Sequence, residues 1–108
     1  MNPEARSFRL SSATNLSFLG TRFIAKQFRI SLEEALAAAN SVVIDFSGVD
    51  VTQSFVDELL GPLVLELGED FLKRIAFQSC SDSAQTIIRF VISNRLADYT
   101  ILRQRFDP

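Results

Sequence analysis

The chain has 108 residues, one domain's worth, and 47% of them are hydrophobic, ten of these Phe, enough for one real core. A net charge of −2 leaves no electrostatic footprint for nucleic acid or an anionic membrane. There is no His, which removes the commonest general base, the serine–histidine pair and most zinc sites, and the single Cys80 has no partner for an internal disulfide.

A lone Cys leans toward a reducing compartment. The first residues lack a basic segment followed by an apolar run, and the apolar stretches are broken by charge or Gly-Pro well short of 18 residues. The expectation is a cytoplasmic protein with no membrane span, a single domain over residues 1–108 with loose ends at 1–6 and 104–108.

Residues 7–10 (SFRL) put Phe8 and Leu10 at period two, and residues 16–18 suit a second short strand, so a hairpin across the turn formers at 11–15 is expected. From 20 to 40 the period changes: Ile24, Phe28, Leu32, Ala35, Leu36 and Ala39 make one apolar helical stripe. Arg29 and Glu33 are spaced for a helical ion pair. Ser31 with Glu34 offers a second helix start and hence a break near Ile30. The run 42–46 (VVIDF) is short, β-branched and apolar on both faces, which predicts a central strand covered on both sides.

After the polar turn 47–54, Phe55, Leu59, Leu60, Leu63, Val64 and Leu67 form a second stripe. Pro62 predicts a kink or early break there, because it cannot donate to the carbonyl of residue 58, and Gly68 is a natural C-cap. Residues 74–79 (RIAFQS) read as a third firm strand. Ser81, Asp82 and Ser83 offer cap oxygens, with Gln85 placed to complete a box. A third stripe then runs from Ala84 to Leu96, and YTIL at 99–102 predicts a last edge strand. Alternating strands and helices mean an α/β layer structure.

Chemistry-bearing residues gather at the turn 47–54. Thr52 and Ser54 lie where a helix starts, so either can cap it, Ser54 with Asp57 as a box variant. The same N–H groups and helix dipole favour an anion, and a phosphorylated hydroxyl there would add about two charges. Asp50, Asp57 and Glu58 surround them as an acidic rim. With Asp45 these carboxylates lack calcium-loop spacing, and no metal is expected. Neither GxxxxGK[ST] nor GxGxxG is present, so no cofactor and no enzyme chemistry are expected. Arg89, Arg95, Arg103 and Arg105 read as solvated, or as contacts to an acidic partner or to the acidic turn.

The order of elements, and IDFSGVDVTQSFVDELL at 44–60, resemble the STAS domains of anti-anti-sigma factors and sulfate-transporter tails. More closely, VVIDFSGVDVTQSFVDELLGPL, with GTRFIAK before it and FVISNR after it, is similar to a bacterial STAS-like family of unknown function, over residues 16–95. The resemblance implies an α/β STAS-like fold, a mixed sheet of four or five strands with helices packed against it, and a regulatory protein-interaction module. In anti-anti-sigma factors a partner ATPase with kinase activity phosphorylates a serine at this turn. Aligned without gaps, the usual Asp-Ser-Ser-Gly becomes Gln53-Ser54-Phe55-Val56, so Phe55 stands at the acceptor position and Ser54 is the serine that remains.

The expected partner is therefore a protein, an ATPase of histidine-kinase-like type, bound through Asp50, Thr52, Ser54, Asp57 and Glu58. Ser54 or Thr52 is the candidate for phosphorylation. The alternatives are a small-molecule or nucleotide site at the Thr52–Ser54 helix start, and a homodimer through exposed Phe or Leu.

Overall fold

A computed structural model of the chain describes residues 5–12 and 18–106. The elements run β1 (Ala5–Arg9), β2 (Phe18–Leu19), α1 (Arg22–Ala38), β3 (Ser41–Asp45), β4 (Asp50–Val51), α2 (Gln53–Leu67), α3 (Phe71–Arg74), β5 (Ile75–Gln78) and α4 (Asp82–Phe106).

Three strands form one sheet in the order β1-β3-β5, and β2 with β4 forms a second. Every pairing is parallel. The expected mixed sheet of four or five strands is thus, among the described residues, two parallel sheets of three and two. The expected hairpin is replaced as well. β1 pairs with β3, and Leu10 leaves the strand in a 3-10 turn and is buried. Phe18 of β2 sits opposite Asp50 instead. Leu16 and the turn at 13–15 lie outside the described residues, as do 1–4 and 107–108 of the expected loose ends; Arg6 belongs to β1 and 104–106 to α4.

Side chains alternate across the strands. Val42 and Ile44 of β3, Phe8 of β1 and Ile75 and Phe77 of β5 belong to the core built with the helices. On the other face Ser7, Arg9, Ala76 and Gln78 are exposed and Val43 is half-buried. β3 is therefore covered on one face, not two, because its neighbours carry polar or small residues on the other.

The stripe at 24–39 forms one helix, with no break at Ile30, since Phe28, Leu32, Ala35 and Leu36 all reach the core. Its C-terminal carbonyls are closed from outside. Arg74 donates to the carbonyls of Leu36 (2.6 Å), Asn40 (3.0 Å) and Ala39 (3.3 Å), where a cation also complements the helix dipole. α2 runs on through Pro62 to Leu67, and Gly68 caps it at φ 58°, a left-handed value that favours glycine. A Cβ at Gly68 would run into the Tyr99 ring of α4.

That contact bears on the far end of the chain. The strand expected at 99–102 is helix, because Tyr99 packs across Gly68 and Thr100 donates to the Leu96 carbonyl one turn earlier (3.0 Å). α4 is capped by Ser81, whose Oγ accepts the Ala84 N–H at 3.0 Å. The Gln85 side chain donates to the Cys80 carbonyl rather than closing a box.

Candidate functional site

β2 and β4 run side by side and each leads directly into a helix, so α1 and α2 begin at the same end of the molecule. Thr21 caps α1, its Oγ1 accepting the Ile24 N–H at 3.3 Å. Thr52 caps α2 in the same way, accepting from Phe55 N–H at 3.1 Å. The Thr52 hydroxyl also donates to the Gly20 carbonyl (3.0 Å), and its N–H donates to Leu19 (3.1 Å), so one residue stitches the two helix starts together. Of the two cap candidates, Thr52 does the capping. Ser54 lies in the first turn of α2 with its side chain exposed, as do Gln53 and, in β4, Asp50.

Phe55 is fully buried and meets Phe28 of α1 edge-to-face, ring centroids 5.9 Å apart. The position that the resemblance aligns with the hydroxyl of anti-anti-sigma factors is a core aromatic.

The acidic rim divides. Asp50 is exposed, but Asp57 and Glu58 are only 21% and 17% exposed and face neighbouring helices. Arg95 of α4 grips Asp57 with both ends of its guanidinium: Nε and Nη2 donate to Oδ1 at 3.0 and 2.8 Å, and Nη2 to Oδ2 at 2.9 Å. Arg22 of α1 adds a bond to Oδ2 at 3.0 Å. Arg95 reaches this place across Gly61, where a Cβ would stand only 2.9 Å from its Nε. Burial alone would push the Asp57 carboxyl up, but its bonds and charge contacts with Arg22 and Arg95 outweigh that and hold it below its ordinary value. Arg95 is accordingly not a solvated residue; it joins α4 to the acidic segment.

Glu58 is tied to Pro62. A proline at 62 has no N–H for the carbonyl of residue 58, one turn earlier. Arg29 of α1 supplies the missing donor: its Nη1 lies 2.6 Å from the Glu58 carbonyl and 2.6 Å from carboxylate Oε2. One guanidinium therefore repairs the proline defect and pairs the side chain. Arg29 is engaged here rather than with Glu33. Sequence periodicity marks the defect at Pro62 but does not say which cation closes it.

A third carboxylate closes the turn itself. Asp45, at the end of β3, is buried and accepts the Ser47 N–H at 2.8 Å, with Arg9 Nε at 3.2 Å on its other oxygen. The Ser47 bonds, aided by Arg9, lower its pKa against the cost of burial. Among the described residues no three His, Cys, Asp or Glu side chains are grouped to hold a metal ion. No helix there is long and apolar enough to cross a membrane.

A family model described as a STAS-like domain of unknown function matches residues 25–85, more than half of the chain, from the first turns of α1 to the first turn of α4. The chain belongs to that family. The matched segment of this STAS-like domain holds the β3–turn–α2 unit, Phe55, Asp57, Glu58 and Arg29. Arg95, which completes the Asp57 clamp, and Phe18 lie beyond it. No curated protein and no solved structure matches the chain.

Proposed function

We propose that this STAS-like domain is a regulatory protein-interaction module, not an enzyme, and that it docks a protein partner at the start of α2. The observation that carries the reading is the division of the polar residues there. Asp57, Glu58 and Thr52 are spent on holding α1, α2 and α4 together, whereas the exposed side chains of Asp50 and Ser54 make no hydrogen bond or ion pair among the described residues. Beside them stands Phe18, opposite Asp50 in the small sheet and 59% exposed; Phe23, in the first turn of α1, is 71% exposed. Exposed aromatics next to an unpaired charge and hydroxyl suit a protein interface. The docking face thus narrows to Asp50, Ser54 and Phe18.

The expected partner is an ATPase of histidine-kinase-like type. Ser54 is the better acceptor of a phosphoryl group, since the Thr52 hydroxyl already donates to Gly20 and accepts from Phe55. A phosphate on Ser54 would sit in the first turn of α2, where the helix dipole favours negative charge and Asp50 opposes it. A free-anion or nucleotide site at Thr52–Ser54 has less support, because the neighbouring cations Arg22, Arg29 and Arg95 already serve Asp57 and Glu58.

The test is affinity capture with the wild-type chain and with an Asp50→Lys/Ser54→Arg/Phe18→Ser variant, with mass spectrometry of Ser54 after incubation of the captured ATPase with ATP. The reading expects the partner to be lost from the variant. A partner retained by both proteins at equal yield refutes the placement.

A further inference from the structure

We infer that β5 is a docking edge: it accepts an extended segment of a partner protein as a fourth strand, with apolar residues on alternate positions and a carboxylate set against Arg89. The inference goes beyond the α2 face and uses none of its residues.

β5 is the last strand of its sheet, and among the described residues no strand lies beyond it. Backbone groups along a strand point alternately to its two sides. The Gln78 carbonyl accepts the Phe46 N–H at 2.9 Å, so Gln78 and Ala76 face β3, and Phe77 turns its N–H and C=O outward. Such an open edge invites pairing, and proteins usually blunt it with charge. β1, the opposite edge, carries Arg6 and Arg9; β5, with the sequence IAFQ, carries no charge.

The space along β5 has the shape of what a fourth strand would bring. A cleft of about 620 Å³ lies between β5, α3 and α4, walled by Leu72, Phe77, Ile88, Ile92 and Leu96. It is on the helix side of the sheet, the side that Phe77 shares with the core. Alternate side chains of an added strand would point into it, while its backbone paired with Phe77. A free apolar ligand would fill the cleft but leave the Phe77 backbone groups unpaired, so the edge and the cleft together favour a strand.

Arg89 sets the charge. It lies in the lining, exposed, and among the described residues forms no ion pair. The neighbouring polar group, Gln85, already donates to the Cys80 carbonyl. A cation at the rim of an apolar cleft selects an acidic residue at one position of the incoming segment.

The test uses a displayed library of random eight-residue peptides, selected on the full chain, with the best binders synthesised. The inference expects an enriched pattern of alternating apolar residues with one Asp or Glu, and amide chemical-shift changes centred on Phe77 and its neighbours. It expects Arg89→Glu to weaken binding at least tenfold and Arg89→Lys less than threefold. N-methylation of the peptide amides facing β5 should abolish binding, and methylation of the others should be tolerated. Leu72→Glu, at an exposed position of the cleft wall, should also reduce binding tenfold without loss of fold. No enrichment, binders indifferent to Arg89→Glu, or shifts centred on Asp50–Ser54 would overturn it. So would saturable binding of dodecanoate in the cleft without any peptide, or self-association of the chain that Leu72→Glu abolishes. The variants at Arg89 and Leu72 leave Asp50 and Ser54 unchanged, so this inference and the α2 docking face can fail separately.

Discussion

The link between Arg29 and Pro62 makes a prediction that no count of contacts would give. Arg29 and Glu58 are both less than one-fifth exposed, and the two 2.6 Å bonds from one nitrogen serve a carbonyl and a carboxylate. A hydrogen bond involving a charged group contributes roughly 1.5–3 kcal/mol, and a half-buried acceptor left without a donor costs about 1–3 kcal/mol. Arg29→Ala should therefore destabilise the fold by about 2–3 kcal/mol. If part of that loss is the orphaned Glu58 carbonyl, then Pro62→Ala, which restores an N–H to that carbonyl, should recover it. The double-mutant cycle should show Arg29→Ala costing about 1 kcal/mol less when residue 62 is Ala. Urea unfolding of the four proteins, followed by circular dichroism at a common slope, measures the coupling. Additivity within about 0.3 kcal/mol would refute the claim that Arg29 completes the helix at Pro62.

Thr52→Ala should cost about 1–2 kcal/mol in the same assay, since it removes both the α2 cap and the bond to Gly20, while Ser54→Ala stays within about 0.5 kcal/mol. Placing a hydroxyl at the position that the resemblance aligns with the anti-anti-sigma acceptor, Phe55→Ser, should destabilise by about 3–5 kcal/mol by emptying a fully buried ring site, and its thermal melt should fall sharply or vanish. Asp57 is held below its ordinary pKa in the folded chain, so its stabilising contribution is complete above its unfolded value near 4 and is lost as pH falls below that. Asp57→Asn should lose stability at pH 7 and show a flatter urea midpoint between pH 4 and 2; an unchanged profile would contradict the clamp.

Much of the frame was legible because it is written as periodicity. The stripes of α1, α2 and the first half of α4, the strands expected at 42–46 and 74–79 and found at Ser41–Asp45 and Ile75–Gln78, and the Gly68 cap follow from spacing and from residues with one backbone preference. What periodicity could not supply was partners. SFRL and LSF suggest a hairpin by their nearness in sequence, whereas Ala5–Arg9 and Phe18–Leu19 pair separately with β3 and β4, more than thirty residues further on. YTIL carries strand propensity, yet a ring lying over a glycine thirty-one residues earlier keeps it helical. Asp57 and Glu58 looked like surface charges beside Ser54, because the arginines that consume them come from two other helices. The proposed docking face is narrower than the five residues expected from sequence for the same reason: long-range side-chain contacts leave no mark on local sequence.

The all-parallel pairing has a consequence for how the chain acquires its structure. Ala5 meets Ser41, Phe18 meets Asp50 and Val42 meets Ile75, so each described strand pairing closes a loop of roughly thirty residues or more. Among the described residues no hairpin seeds either sheet. Loop closure must be met before any strand contact forms, which slows folding relative to helical proteins of similar length. The packing of α1 and α4 against α2 closes loops just as long, Arg29 to Glu58 and Arg95 to Asp57, so it gives no local start either, and β3, paired on both sides, is fixed only when the segments flanking it in space arrive from opposite ends of the sequence. Until then its Val-Val-Ile run is an unpaired apolar strand, and protein concentration during refolding decides whether its first neighbour is β1, β5 or another molecule.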